Sequence, residues 1–254
     1  MVVFSRYVAL GDSFTEGIGD PHPASPNGLR GWADRVAEVL AHSNPEVRYA
    51  NLAVRGRTMN EILADQIQTA VMLEPDLVTI YAGMNDLLAV RHDLDVMMAR
   101  YADALKTLQQ TGAVVLTFTA ADLSTVPLFR RLRGRAAIYN ELLRAVADDL
   151  GVQLVDFWRF AEFRDPCLWA ADRIHLSPLG HERMAAKVLD TLMLSHDLTT
   201  RSAAMPTSSP PVWSRRANVR WAAAFALPWV SRRLRRVTPG AGCEPKSTTL
   251  RRVI

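Results

Sequence analysis

Five short apolar runs, each separated from the next by a stretch with helical spacing, constrain this chain more than any other feature. Residues 7–10, 47–52, 77–81, 114–118 and 152–157 read as strands. Leu77-Val78-Thr79-Ile80-Tyr81 is β-branched and apolar on both faces, so it must be covered on both sides. The intervening segments 31–42, 58–71, 95–110, 133–150 and 178–194 carry helix signals. Thr58-Met59-Asn60-Glu61 has capping-box spacing, and Met59, Ile62, Leu63, Ile67 and Val71 follow at helical intervals. Gly112 and Gly151 stand where helices stop, and Pro178 stands in the first turn of the closing helix. Strands covered on both faces and joined by right-handed crossovers predict a three-layer α/β/α architecture around a doubly wound, parallel, five-stranded sheet. Such sheets hold their sites at the carboxyl ends of the strands.

Charge divides the chain in two. From Arg201 onward there are ten Arg and one Lys against Glu244 alone, a net of +10, whereas residues 1–200 carry a net of −6. The overall +4 therefore describes the tail and gives no reason to read the body as a nucleic-acid binder. The expected organisation is a catalytic domain over 1–198, a Ser/Thr/Pro-rich linker over 199–211, and a basic Trp/Arg-rich tail over 212–254 whose last residues are poorly ordered. Cys167 and Cys243 form neither a disulfide framework nor a C-x-x-C pair. Arg6 interrupts the first apolar run and the chemistry begins by residue 11, so the expectation is no cleaved leader. No run approaches the ~20 apolar residues of a membrane span, and the expected location is cytoplasmic, with the tail bringing the protein to membranes.

Polar clusters follow the strands. Gly11-Asp12-Ser13 follows the first, Gly56 the second, and Gly83-Met84-Asn85-Asp86 the third; Asp172-Arg173-Ile174-His175 lies between the fifth and the closing helix. A serine hydroxyl needs a base to take its proton, histidine suits that task near neutral pH, and a carboxylate fixes the imidazole tautomer. Ser13, His175 and Asp172 fit those roles. The amides of Ser13 and Gly56 and the side-chain amide of Asn85 are the candidate donors for a developing oxyanion. Asp12 and Asp86 read as structural.

These four blocks, in this order, resemble the GDSL or SGNH hydrolase family. The resemblance spans most of residues 7–185 and implies the flavodoxin-like fold of that family. It also implies esterase, lipase, thioesterase or carbohydrate-deacetylase chemistry without metal or cofactor, on a small acyl-ester substrate. Phe14 departs from the family's name-motif, which has Leu there, and is expected to crowd the cleft. The chain has no G-x-S-x-G elbow, which argues against an α/β-hydrolase fold.

Competing readings attach to single residues. His175 and His181 suggest metal ligation, but no third ligand has suitable spacing, so His181 is expected on a helix surface or behind the site. In the tail, Trp213, Ala217, Trp221, Phe225 and Trp229 recur every four residues among arginines, with Pro228 breaking any helix. That pattern fits an interfacial segment on anionic lipid, or one docking its aromatics on the acidic body. A catalytically inactive membrane- or partner-binding module on a hydrolase scaffold is the alternative function. The intact set of Ser13, Asn85, Asp172 and His175 argues for the enzyme.

Overall fold

A computed structural model describes residues 3–88, 92–122, 124, 129–198, 215–228, 240 and 242–253. The strands are β1 (Arg6–Gly11), β2 (Arg48–Asn51), β3 (Leu77–Tyr81), β4 (Val114–Phe118), β5 (Gln153–Val155) and β6 (Ser247–Arg252). The helices are α1 (Ser13–Glu16), α2 (Trp32–Ser43), α3 (Met59–Met72), α4 (Met84–Leu87), α5 (Leu94–Gln109), α6 (Arg133–Leu150), α7 (Pro178–Thr191) and α8 (Arg215–Trp221), with a single π-helical turn at Ala222–Ala226.

The sheet order is β5-β4-β3-β1-β2-β6. The first five strands are parallel, as their apolar faces demand. Alternate residues divide between two cores. Val8, Leu10, Val78, Ile80 and Val115 pack with residues of α3, α5 and α6. Tyr7, Ala9, Leu77, Tyr81, Leu116 and Phe118 pack with α2 and α7 on the opposite face. The chain runs outward from β1 to β2 and then returns to β3 on the other side of β1. The reversal of strand order therefore lies between β1 and β3, where doubly wound sheets open a crevice at the carboxyl ends.

The sheet has six strands, not the expected five. β6 comes from the tail and pairs antiparallel with β2, with Arg48 opposite Arg252, Tyr49 opposite Arg251 and Asn51 opposite Ser247. Its Ser/Thr composition suggested loop, and four of its six residues face solvent, so no apolar alternation marked it. The open edge of β2 selects it by offering unpaired backbone groups. Around it, Lys246 Nζ lies 2.6 Å from Asp34 Oδ2, Asn27 Nδ2 donates to the Glu244 carbonyl at 3.0 Å, and Arg252 pairs with Glu46. Thus the end of the chain, expected to be poorly ordered, is pinned to the body. The linker at 199–211 lies outside the described residues, as do Trp213, Trp229 and the arginines at 232–236. Among the described residues, no helix is long and apolar enough to cross a membrane.

Candidate active site

Ser13 opens α1 directly after β1. Gly11 makes that turn with φ +146°, and a Cβ there would sit 2.6 Å from Thr15 Oγ1 and 2.7 Å from the Tyr81 carbonyl. Only glycine fits both the conformation and the space. The Gln66 side chain clamps the same residue, accepting from the Gly11 amide at 2.8 Å and donating to its carbonyl at 2.9 Å. Asp12 caps α1 by accepting from the Phe14 amide at 3.0 Å. Ser13 itself is left half-buried.

The Asp172–His175 segment is a tight turn held by a short antiparallel bridge between Trp169 and Leu176. Ala170 N–H donates to the His175 carbonyl at 2.8 Å. Asp172 Oδ1 accepts from the amides of Ile174 and His175, both at 3.0 Å. Its other oxygen lies 2.6 Å from His175 Nδ1, and His175 Nε2 lies 2.9 Å from Ser13 Oγ. The three side chains predicted from sequence therefore form one continuous hydrogen-bonded line. Burial alone would raise the Asp172 carboxyl, but the His175 hydrogen bond, its charge, and the two amides outweigh that and hold it below its ordinary value. Immediately beyond, Ser177 caps α7 by accepting from the Gly180 amide at 3.2 Å, with Pro178 in the first turn.

The Gly56 and Asn85 blocks are drawn to Ser13 by contacts that the sequence did not reveal. Glu16 of α1 is fully buried and binds Arg55, with its Oε2 2.8 Å from the Arg55 amide and its Oε1 2.5 Å from Arg55 Nη2. Asn85 Nδ2 donates to Asp12 Oδ2 and to the Arg57 carbonyl, each at 3.0 Å. Gly56, at φ +77°, is bracketed between these two anchored residues. Neither Glu16, Arg55 nor Gln66 belongs to a motif readable in one chain; a charged residue three places after Ser13 looks like ordinary helix surface. Asp86 is structural as expected, accepting from the Met59 amide at 2.8 Å at the start of α3. Glu61 reaches back to the Thr58 amide at 2.7 Å, while the Thr58 hydroxyl also donates to Glu61.

Asp12 is almost wholly buried, and desolvation pushes its carboxyl up to about 7 against the hydrogen bond from Phe14. Of the two places expected for His181, the structure excludes the helix surface. It is fully buried on α7, not at a helix surface: Nδ1 accepts from the Trp32 amide at 3.2 Å and Nε2 donates to the Ile18 carbonyl at 3.1 Å. Both nitrogens are occupied by backbone, so the ring ties α7 to the start of α2 and has no lone pair for a metal. Burial lowers its pKa to about 3. Among the described residues, no three His, Cys, Asp or Glu side chains converge as a metal-binding group. Phe14 packs against Tyr81, Trp32, Phe157 and Phe118, with its nearest ring centroid 4.3 Å away, so its ring extends the aromatic core.

The tail also reaches this region. Trp221 is buried, and its indole N–H donates to the Asp172 carbonyl at 2.7 Å. At this residue the docking reading of the tail holds.

Among solved structures, the chain is similar to the acetylxylan esterase Axe2 from Geobacillus stearothermophilus, with a TM-score of 0.63, 20% identity, and 77% of this chain and 98% of that one covered. It is similar to LAE5, described as an α/β hydrolase enzyme from the Lake Arreo metagenome, with a TM-score of 0.63, 24% identity, and coverage of 76% and 97%. It is also similar to the lipase Lip_vut3 from a goat rumen metagenome, with a TM-score of 0.62, 21% identity, and coverage of 77% and 100%. At these identities the likeness is one of fold. Compared with curated proteins, the sequence matches none. The model of the GDSL-like lipase/acylhydrolase family matches residues 9–183, which hold all four blocks, and the chain belongs to that family.

Proposed function

We propose that the protein hydrolyses acyl esters through an acyl-enzyme formed on Ser13. His175 takes the proton from Ser13 Oγ as that oxygen attacks the acyl carbonyl carbon. The ester C–O bond then breaks, and His175 returns the proton to the leaving alkoxide. Water, deprotonated by the same imidazole, attacks the acyl-enzyme and releases the acid and the free serine. Asp172 fixes the ring with Nδ1–H toward itself and stabilises the imidazolium. The observation that carries this reading is the line from Asp172 Oδ2 through His175 to Ser13 Oγ, at 2.6 and 2.9 Å. Side chains about a quarter exposed leave the line open to a substrate.

The amides of Ser13 and Gly56 and Nδ2 of Asn85 receive the oxyanion. Asn85 Nδ2 already donates to Asp12 and to the Arg57 carbonyl, so an oxyanion shares one of those protons. That arrangement orients the amide before substrate arrives, which favours electrostatic stabilisation. Acetylxylan and lipid esters are the substrates that the similar proteins' names suggest, and an acyl-chain-length panel of aryl esters distinguishes short from long acyl preference. Labelling by a fluorophosphonate probe tests the serine directly. Wild type is expected to label and Ser13→Ala to lose both labelling and hydrolysis with its melting temperature preserved. Ser13→Ala activity within tenfold of wild type refutes the assignment.

A second reading concerns the tail. Val219 and Leu227 are about two-thirds exposed, and Arg216 and Arg220 are exposed beside them. Their exposure favours contact with an anionic lipid surface. Sedimentation of the full chain with phosphatidylserine vesicles tests it; equal sedimentation with neutral vesicles, or none with either, rejects it.

A further inference from the structure

We propose that Trp221 and Asn218 of α8 form a brace that positions the Asp172–His175 turn, making the tail part of the machinery that aligns the imidazole. The proposal rests on the reading of Ser13, His175 and Asp172 as catalytic.

The turn needs support. Arg173, between the two critical side chains, has φ +60°, a left-handed conformation that a non-glycine residue keeps only when its surroundings hold it. Arg173 is nonetheless buried. Its guanidinium lies 5.1 Å from the centre of the Trp221 ring, and Nη1 donates to Asn218 Oδ1 at 2.7 Å. The indole N–H of Trp221 meanwhile donates to the main-chain carbonyl of Asp172. Asn218 and Trp221 are three residues apart on one helix, and so share a face. That face touches the turn twice, at the backbone of Asp172 and at the side chain of Arg173.

These contacts act on catalysis through geometry. The Asp172 carboxylate is fixed to its own turn by the amides of Ile174 and His175, so a displacement of the Asp172 backbone carries the carboxylate with it. The imidazole follows, because its Nδ1 is held by that carboxylate. An error of about 1 Å in such an alignment costs up to ~100-fold in rate. The burial of Trp221 amid exposed neighbours shows where the segment is anchored: Val219 and Phe225 face solvent while Trp221 does not. The family match ends at residue 183, so the brace lies outside the matched region.

The test uses the full chain and separates positioning from packing. Trp221→Phe keeps an aromatic ring over Arg173 but removes the N–H donor. Its kcat on a soluble aryl acetate is expected to fall about tenfold with KM within twofold and the melting transition nearly unchanged. The low-field proton resonance of the Asp172–His175 hydrogen bond is expected to shift or broaden. Trp221→Ala is expected to lose ~100-fold, and Asn218→Ala to lose a few-fold in kcat at unchanged KM. Wild-type kcat and an unshifted resonance in Trp221→Phe overturn the proposal. So does a Trp221→Phe loss explained wholly by unfolding while Asn218→Ala turns over at the wild-type rate. Ser13→Ala run in parallel keeps the two questions apart. If it retains probe labelling or hydrolysis, the serine reading fails and the brace with it; if it does not, the Trp221 and Asn218 results judge the brace alone.

Discussion

Two buried groups make opposite demands on stability between pH 7 and pH 5, and replacing His181 should expose the hidden half. His181 has its pKa lowered from 6.5 to about 3 by burial, opposed only in part by its bond to the Ile18 carbonyl. A base depressed in the folded state binds its proton first in the unfolded chain. Its contribution is therefore complete above pH 6.5 and is lost as pH falls toward 3. Between pH 7 and pH 5 the loss works out at about 2 kcal/mol, and near pH 4 at about 3 kcal/mol. Asp12 runs the other way. Its carboxyl is raised from 3.8 to about 7, so the folded protein takes up the proton first, and stability grows as pH falls through 7. Over the same two pH units that gain is also about 2 kcal/mol. Asp86 is likewise raised by burial, with the same sign.

The wild type should consequently show a nearly flat stability profile from pH 7 to pH 5. His181→Gln removes one arm. It should start less stable, since the Trp32 amide and the Ile18 carbonyl lose their partner, at a cost of about 1–3 kcal/mol. Its stability should then rise by about 2 kcal/mol on acidification to pH 5. Urea unfolding of both proteins at pH 7, 6 and 5 measures the slopes, and the baseline loss drops out of the comparison. Parallel profiles for wild type and His181→Gln would refute the reasoning, because they would mean that His181 does not change its proton affinity on folding.

Three further outcomes follow from the site. Asp172→Asn should reduce kcat less than His175→Ala does, since the amides of Ile174 and His175 still order the turn; equal losses in steady-state kinetics would show that Asp172 does more than orient the ring. Gly11→Ala places a methyl within 2.7 Å of both Thr15 Oγ1 and the Tyr81 carbonyl, and should lower stability by ~2 kcal/mol or more while reducing kcat, checked by urea titration and an ester assay. Arg55→Ala leaves Glu16 buried without its cation and should cut activity as well as stability, because it frees the Gly56 loop; activity at the wild-type level would detach that loop from the oxyanion site.

The central architecture was legible because it depends on local pattern. Strand 77–81 and helix 133–150 have the boundaries expected of them, since continuous β-branched apolar residues and helical periodicity each admit few alternatives. The hydrogen-bonded line of Ser13, His175 and Asp172 was legible in part: Ser13 stands just past the end of β1, whereas Asp172 and His175 lie 17 and 20 residues beyond β5 and reach it through the turn before α7. β6 was not legible: an edge strand with one polar face needs no apolar alternation, and its pairing is decided by the vacancy beside β2. His181 stayed open between a helix surface and a place behind the site because a lone histidine on a helix carries no sign of which face it occupies; only the packing of α7 on α2 puts it in the interior.

The same division runs through the site. Sequence alone determined which polar blocks are candidates for the chemistry and the order of the strands that carry most of them toward one sheet edge. Tertiary structure alone decided how they are held. Glu16 on Arg55, Asn85 on Asp12, Gln66 on Gly11 and Trp221 on Asp172 join residues 39, 73, 55 and 49 positions apart. Interactions over such separations depend on the folded path of the backbone, and no periodicity or spacing within one chain encodes them.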